Sequence, residues 1–334
     1  MEMTATIPGL LEFFVNKYRN KLLFQRRDGW SWKQLTWLDC DSEIKNLSSF
    51  LLSLDFKPGS YAVIVSSNKI ECLFSELAIY CVGGIVVPFS DNESFMKNRE
   101  KVFSLKPDLL FLENMELLDE LKKAGLKTDN FSRVILFDDT HIGKNEKVIP
   151  YKGLVKFGQL KKKELVDVLK TSSGSVKSDQ AALQFYYKNG TSHFSESILE
   201  HQKMLDMLRA AYSKLNFITE EDQSYSYLSV SSPFEKLINL LGLMLGIRLI
   251  IAEDMDCFFS DILEAKPTVL FESSSEIEKI FNSFNSSSKS DDLKAYLGGR
   301  IKYLITDSSP EVDIENAFRN SGIVIIDLPE LSKL

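Results

Sequence analysis

The sequence has few of the residues that build metal sites and disulfide frameworks, and it has no apolar run long enough for a membrane span. It contains 4 Cys and 3 His in 334 residues. The cysteines show no C-x-x-C spacing and the histidines have no spaced partner set, so neither a metal site, a disulfide framework nor a Ser/His/Asp triad is expected. No apolar run reaches the roughly 18 to 20 residues that span a bilayer, and residues 1–20 lack the regions of a signal peptide. We therefore expect a cytoplasmic protein without a transmembrane segment.

Positive charge is also in deficit. Lys and Arg total 40 against 47 Asp and Glu, which gives a net charge of −7. This balance argues against a general surface for nucleic acid or anionic membranes, and the run 161–163 of three lysines is interpreted as a solvated helix start. What the chain has in quantity is apolar residues, at 44% with 23 Phe, enough for a large core and two domains.

Apolar runs typical of strands alternate with segments of helical periodicity. In the first half the predicted strands are 61–66, 85–88, 109–112 and 134–137. In the second half they are 181–185, 225–230, 248–251, 269–271, 301–305 and 323–326. This alternation predicts an α/β protein with mostly parallel sheets covered on both faces. The polar run 170–177 suggests a division into two α/β subdomains, 1–175 and 176–334.

Two places carry the signature of a helix start. Ser31–Gln34 matches a capping box and predicts a helix from there. Further on, the strand 181–185 is followed by the polar loop 188–195 and by a predicted helix from Glu196. A strand, a tight loop and a helix can present backbone N–H groups to a phosphate. Such a loop usually needs several glycines and a lysine, yet this one has the single glycine Gly190, and its single lysine, Lys188, comes before that glycine.

Four segments resemble one enzyme family. Residues 30–91 resemble the opening of AMP-forming, adenylate-forming enzymes, with Ser-Trp-Lys-Gln-Leu, Lys-Pro-Gly-Ser-Tyr-Ala-Val-Ile-Val and Cys-Val-Gly-Gly-Ile-Val-Val-Pro-Phe. Segments 229–236, 266–279 and 297–302 are most similar to long-chain acyl-CoA synthetases. The resemblance covers nearly the whole chain. It implies two stacked αβ subdomains, as in the N-terminal domain of those enzymes, which use Mg-ATP and CoA to activate fatty acids.

The departures from this family lie at its nucleotide-binding motifs. The family's phosphate loop is Tyr-Thr-Ser-Gly-Thr-Thr-Gly-x-Pro-Lys-Gly, and Gly190, Thr191 and Ser192 can be aligned with its Gly-Thr-Thr. The next glycine is then a histidine, and the lysine position falls on Ser195 or Glu196, depending on the register. Losing one charge-assisted contact costs about 1.5 to 3 kcal/mol, so the resemblance implies a vestigial phosphate loop.

Other motifs of the family are altered too. Ser232 stands where the family has the histidine of Leu-Pro-Leu-Ser-His, and with Phe234 it marks a degenerate adenine or acyl pocket. Asp307 and Ser308 replace the glycines of Ser-Gly-Gly-Ala-Pro, against which adenine lies in the family. Ile-Asp-Leu-Pro-Glu, ending at Glu330, replaces Tyr-Gly-x-Thr-Glu, so the resemblance leaves Glu330 as a match to the Mg²⁺-associated glutamate.

These residues also have purely structural interpretations. Residues 190–192 could be an ordinary turn, Glu330 a coincidental carboxylate, and Phe234 part of the core. In the family, the rest of the large domain and a small domain with the catalytic lysine would follow residue 334. Loss of one preorganised group that stabilises the transition state, such as this lysine, typically lowers the reaction rate 10²- to 10³-fold.

Two hypotheses follow. The first is a degenerate acyl-CoA synthetase-like protein that does not adenylate, needs no cofactor, and serves as a binding or assembly module with a remnant acyl pocket. The second is one half of a split enzyme that uses Mg-ATP and is completed by a partner chain. In either case a protein partner or self-association is expected near the edge formed by residues 323–334.

Overall fold

A computed structural model describes residues 4–29, 31–67, 69–138, 147–189, 193–226, 233–252, 257–286 and 292–331. The chain divides into two compact units. The first unit consists of Met1–Arg19 and Leu38–Leu205, and the second of Asn20–Trp37 and Asp206–Leu334.

Helices and strands alternate through most of the described chain. The helices are α1 (Ile7–Tyr18), α2 (Trp37–Ser53), α3 (Ile70–Cys81), α4 (Asn92–Ser104), α5 (Met115–Lys123), α6 (Tyr151–Ser175), α7 (His201–Lys214), α8 (Pro233–Leu245), α9 (Phe258–Ala265), α10 (Ser274–Ser286), α11 (Leu293–Tyr296) and α12 (Val312–Asn320). The strands are β1 (Leu22–Asp28), β2 (Ser31–Thr36), β3 (Tyr61–Val65), β4 (Ile85–Phe89), β5 (Leu109–Leu112), β6 (Arg133–Leu136), β7 (Val148–Pro150), β8 (Ala181–Asn189), β9 (His193–Glu200), β10 (Gln223–Ser226), β11 (Arg248–Ile251), β12 (Val269–Phe271), β13 (Tyr303–Thr306) and β14 (Val324–Asp327). Two 3₁₀ turns lie at Thr128–Asn130 and Pro329–Leu331.

The first unit is built on a seven-stranded sheet with the order β7-β6-β5-β3-β4-β8-β9. All neighbours are parallel except β8 and β9, which form an antiparallel hairpin. Every side chain of β4 and β5 is buried, as expected for strands that helices cover on both faces. The predicted α/β class and parallel sheet are thereby confirmed.

The second unit repeats this plan with the order β14-β13-β12-β10-β11-β1-β2. Its strands are parallel except for the antiparallel hairpin of β1 and β2. Its core holds the fully buried aromatic residues Tyr225 and Phe258, whose ring centroids are 5.4 Å apart. Because parallel strands end at a common edge, the segments after β12, β13 and β14 come together at the carboxyl edge of this sheet.

Both predicted helix starts are wrong, for the same reason. Residues 31–36 form β2, which pairs with β1 in the register Gln25↔Gln34, and the helix begins only at Trp37. The segment from Glu196 is part of β9, which pairs with β8, and helix α7 begins at His201. Pairing with a neighbouring strand overrides a local cap signal. The exposure of residues 196, 198 and 200 alternates with less exposed neighbours, as expected for an edge strand.

The two units group the residues differently from the predicted division at residue 175. The polar run 170–177 continues helix α6 to Ser175, and the next strand, β8, joins the first sheet through the pair Val86↔Leu183. The hairpin β1–β2 belongs to the second unit. All four cysteines are free thiols. In the described ranges no helix is both long enough and apolar enough to cross a membrane.

Candidate functional site

The predicted phosphate loop falls outside the described residues. Gly190, Thr191 and Ser192 stand between β8 and β9, in one gap of the described ranges. Ser232, which precedes α8, falls in another gap. Since α7 begins only at His201, the described segment after the loop is a strand. The predicted arrangement of strand, loop and helix is therefore not formed here, and no helix N-terminus lies directly after these residues.

The carboxyl edge of the second sheet gathers the remaining predicted residues. Asp307 and Ser308 follow β13, and Glu330 follows the neighbouring strand β14. The two strands pair in the register Thr306↔Asp327, which places these ends side by side. In open parallel sheets, ligands bind beyond this edge, so this is the candidate functional site of the second unit.

Asp307 uses its carboxylate to hold the start of a helix. Its Oδ1 accepts a hydrogen bond from the backbone N–H of Ser274, the first residue of α10, at 2.9 Å. The same oxygen is a second, longer-range acceptor for the hydroxyls of Thr306 at 3.3 Å and of Ser308 at 3.4 Å. A carboxylate at a helix N-terminus is favourable because it pairs with an otherwise unsatisfied donor and with the helix dipole.

Ser308 completes this cluster. Its hydroxyl donates to the Ser274 hydroxyl at 3.0 Å, and its backbone carbonyl accepts from the Thr306 hydroxyl at 3.1 Å. Beside it, the hydroxyl of Ser309 donates to the carboxylate of Asp327 at the end of β14. The polar groups between β13, β14 and α10 therefore bond to one another, which fixes the loop after β13.

Glu330 lies in the 3₁₀ turn after β14. Its Oε2 is 2.8 Å from the Nζ of Lys214, the last residue of α7. Its Oε1 is buried, with no hydrogen-bond partner among the described residues. The neighbouring side chains of Leu328 and Leu331 are fully buried and hold the turn against the unit. The carboxylate is thus partly sheltered and already faces a cation of the chain itself.

Phe234 belongs to the interior of the second unit. It lies in the first turn of α8 and is 2% exposed. A side chain so buried contributes to packing, in agreement with the structural interpretation from the sequence. Its assignment to an adenine or acyl pocket stays a prediction, since the neighbouring residue 232 is outside the described ranges.

Sequence reasoning missed the partners of these residues. Ser274 stands in a run of serines before Glu276, and the Ser273 hydroxyl accepts from the Glu276 N–H at 3.3 Å. This S-x-x-E spacing is a capping box and could have located the start of α10. Lys214 has no comparable signal, because it lies 116 residues from Glu330. Glu272, fully buried after β12 at the same edge, was also missed.

The fold is shared with solved structures of adenylate-forming ligases. The anthranilate CoA ligase AuaEII in complex with anthranoyl-AMP matches with a TM-score of 0.74 and 11% identity, over 97% of this chain and 60% of that chain. The fatty acyl-adenylate ligase from L. pneumophila, in complex with acyl adenylate and pyrophosphate, matches with a TM-score of 0.68 and 15% identity, over 96% and 54%. The N-terminal domain of FACL13 from Mycobacterium tuberculosis matches with a TM-score of 0.70 and 12% identity, over 96% and 74%.

These matches confirm the expected fold, that of the N-terminal domain of adenylate-forming ligases. Identities this low show the shared fold alone. The chain spans between about half and three quarters of the length of these three proteins. No protein-family model matches the sequence, and no curated protein matches it.

Proposed function

We propose that this chain is a degenerate relative of adenylate-forming ligases that does not adenylate and acts as a binding or assembly module with a remnant acyl pocket. The observation that carries the proposal is the hydrogen bond from the Ser274 N–H to the Asp307 carboxylate. The resemblance assigns a glycine to this position, where adenine lies against the backbone. Here the position carries a charged side chain that the fold itself uses.

The surroundings of Asp307 support this proposal. The Asp307 carboxylate accepts from the Ser274 N–H and lies within 3.4 Å of the Thr306 and Ser308 hydroxyls, so moving it out of the site would leave the Ser274 N–H without its capping partner. Leaving a buried or half-buried donor unsatisfied costs about 1 to 3 kcal/mol. The negative charge also opposes the approach of phosphate groups. Both effects weaken nucleotide binding.

The residues around Glu330 are a poor fit for magnesium. Mg²⁺ prefers carboxylate oxygens in octahedral geometry together with substrate phosphates. The Glu330 carboxylate instead pairs with Lys214 at 2.8 Å, so a divalent ion would have to displace a cation of the chain. Proline at position 329 supplies no hydroxyl where the resemblance assigns a threonine. We therefore propose that Mg-ATP is not a cofactor of the isolated chain.

The edge strand β9 provides a further argument. The resemblance aligns Ser195 or Glu196 with the lysine of the phosphate loop, and the Glu196 side chain is exposed on β9. A carboxylate there adds repulsion toward a triphosphate instead of the attraction of a lysine. Since a missing charge-assisted contact costs about 1.5 to 3 kcal/mol, several such losses together would remove most of the affinity.

The first experiment is a calorimetric titration of the pure chain with Mg-ATP up to millimolar concentration. We expect no saturable heat, because the Asp307 carboxylate opposes a nucleotide at the carboxyl edge of the second sheet and Lys214 occupies the Glu330 carboxylate. The Glu330→Gln variant is the matched control. Weak heat that is also measured with this variant does not come from binding at Glu330, the predicted magnesium ligand. Micromolar binding by the unmodified chain, lost in Glu330→Gln, would contradict the proposal.

The remnant acyl pocket needs a separate assay. Displacement of a fluorescent fatty acid, measured without nucleotide, should show acyl binding that ATP does not change. Absence of acyl binding would remove the pocket from the proposal and leave the assembly role.

The alternative is one half of a split AMP-forming acyl-CoA synthetase. It draws support from β14, the outermost strand of the second sheet in the described chain, where Val324 is 52% exposed. An outer strand with apolar side chains is a template for pairing with another chain. If a partner recovered from the source organism gives fatty-acid-dependent exchange between ATP and pyrophosphate, this alternative replaces the first proposal.

A further inference from the structure

Helix α6 has a charge opposite to that of the whole protein. Its 25 residues include six lysines and two acidic residues, whereas the chain as a whole carries a net charge of −7. At about 1.5 Å per residue the helix is about 37 Å long. A local excess of positive charge over this length is a surface property that the net charge conceals.

Four of the lysines are aligned along the helix. Lys152, Lys156, Lys163 and Lys170 are spaced by four, seven and seven residues, which returns to nearly the same angle at 3.6 residues per turn. All four are exposed. We call these four residues the lysine row.

An apolar row lies beside the lysine row on the exposed surface. Phe157, Leu160 and Val168 are 41%, 77% and 48% exposed. Helical spacing places them within about a quarter turn of one another. Glu164 lies in the same row, where its carboxylate is 2.7 Å from the Nζ of Lys161. Three large apolar side chains exposed in one row are more than the scattered exposure that is normal for a protein surface.

The opposite face fixes the helix to the first unit. Leu154 and Leu169 are buried on this face. Phe157 lies at the border between the two faces: it is 41% exposed, and its ring packs at a right angle to that of Phe50, with 5.7 Å between centroids. At Gly158 the helix approaches so closely that a Cβ atom would lie 1.8 Å from a backbone carbonyl oxygen of α2. Rotation of α6 would break these contacts, so the lysine and apolar rows stay on the outside.

We propose that α6 binds the surface of anionic lipid membranes, with the apolar row inserted at the headgroup boundary and the lysine row on the phosphates. A helix with an apolar face and lysines beside it binds a membrane in the plane of the interface. Anionic lipid headgroups complement the lysine row over the whole helix length, and acyl chains accept Phe157 and Leu160 without a matching pocket. The proposal is independent of nucleotide binding.

The test is co-sedimentation of the full chain with vesicles of phosphatidylcholine alone or of equal parts phosphatidylcholine and phosphatidylserine. We expect binding to the anionic vesicles only, weakened by salt. Each lysine is expected to contribute about 1 kcal/mol to membrane binding. The triple variant Lys156→Gln/Lys163→Gln/Lys170→Gln should therefore bind the anionic vesicles roughly tenfold to hundredfold more weakly. Leu160→Gln should lower binding to the anionic vesicles severalfold.

Two control variants match these changes in charge and polarity. Lys106→Gln/Lys123→Gln/Lys127→Gln removes the same charge from exposed positions away from α6, and Val312→Gln replaces another exposed apolar side chain. Both should bind as the unmodified chain does. Thermal unfolding midpoints that agree among all variants show that each is folded.

Three results would overturn the proposal. The first is absence of binding to the anionic vesicles, and the second is an equal loss in the control variants. The third is a concentration-dependent dimer without lipid that the α6 variants abolish, because the face would then join two copies of the chain.

Discussion

A histidine lies in the apolar interior of the first unit, whereas the carboxylates of the candidate site in the second unit lie at the carboxyl edge of its sheet. His201 is fully buried, edge-on to the Tyr80 ring at 5.8 Å between centroids. Its Nδ1 accepts from the Ile7 N–H at 3.4 Å, and its Nε2 has no hydrogen-bond partner among the described residues. Asp307 and Glu330, by contrast, have partners of complementary charge or polarity.

The two environments act on their polar groups in different ways: burial acts on His201, whereas pairing with an N–H group or a lysine acts on Asp307 and Glu330. Burial lowers the pKa of His201 to about 4, so the interior of the first unit excludes the charged imidazolium. At the carboxyl edge of the second unit, the Asp307 carboxylate pairs with a helix N-terminus and the Glu330 carboxylate with a lysine. Changes inside the first unit should therefore have large effects, and changes at the edge small ones.

The largest effect is expected where backbone meets backbone inside the first unit. In Gly158→Ala the new Cβ would lie 1.8 Å from the carbonyl oxygen of Asn46, so α6 must move away from α2. We expect the free energy of unfolding to fall by about 3 kcal/mol, measured by urea titration.

Gly242→Ala is the matched control in helix α8 of the second unit. Its Cβ would meet the end of the Leu249 side chain at 2.7 Å, and a flexible side chain can move. The gain in helix propensity, about 1 kcal/mol, offsets part of the crowding. If Gly158→Ala and Gly242→Ala lower the free energy of unfolding equally, the close backbone contact of α6 is not what distinguishes the two units.

The second effect is a pH dependence from His201. Its pKa in the folded state, about 4, is below its ordinary value of 6.5, so the unfolded chain binds the proton first. The stability from the neutral imidazole is fully present above pH 6.5 and is lost as the pH falls toward 4. Between pH 7 and pH 5 this amounts to about 2 kcal/mol.

Urea titrations of the unmodified chain and of His201→Gln at these two pH values measure this loss. The variant should be less stable at pH 7 but less sensitive to pH, because it has no imidazole to protonate. An unchanged pH dependence in His201→Gln would show that carboxylates elsewhere cause the acid sensitivity.

The interior strands are the part of the fold that can be predicted from the sequence. β5 was predicted with its observed bounds and β3 to within one residue, because continuous apolar runs end at polar or turn residues. The two edge hairpins could not be predicted in this way. β2 and β9 are mostly polar or alternating, and their conformation depends on pairing with β1 and β8, which local sequence does not reveal.

The resemblance located two residues at the carboxyl edge of the second sheet but not their contacts, and their assignment to a nucleotide site stays a prediction. The resemblance identified Asp307 and Glu330, and both lie at the carboxyl edge of one sheet. Their partners, Ser274 and Lys214, are 33 and 116 residues away in the chain. Periodicity and short motifs report neighbours within a few residues, so contacts of this kind appear only when the sheet order is known.

The third prediction concerns the cap at Asp307. Asp307→Ala removes the acceptor for the Ser274 N–H, and we expect a loss of about 1 kcal/mol in the free energy of unfolding. Asp307→Asn keeps a side-chain oxygen and should lose less than half of that. Thermal unfolding of both variants measures the difference. Equal losses would mean that the charge of Asp307, and not its hydrogen bond, stabilises α10.

The smallest effect is expected for the pair of Lys214 and Glu330. The lysine side chain is 46% exposed and the glutamate 19% exposed, so solvent screens the pair from one side. A double-mutant cycle with Lys214→Gln and Glu330→Gln should give a coupling energy of about 0.5 kcal/mol, reduced further by salt. A coupling above about 2 kcal/mol that resists salt would place Glu330 among the desolvated groups, like His201. The edge of the second unit would then follow the same rule as the interior of the first, since Lys214 would be needed to neutralise a carboxylate that water does not reach.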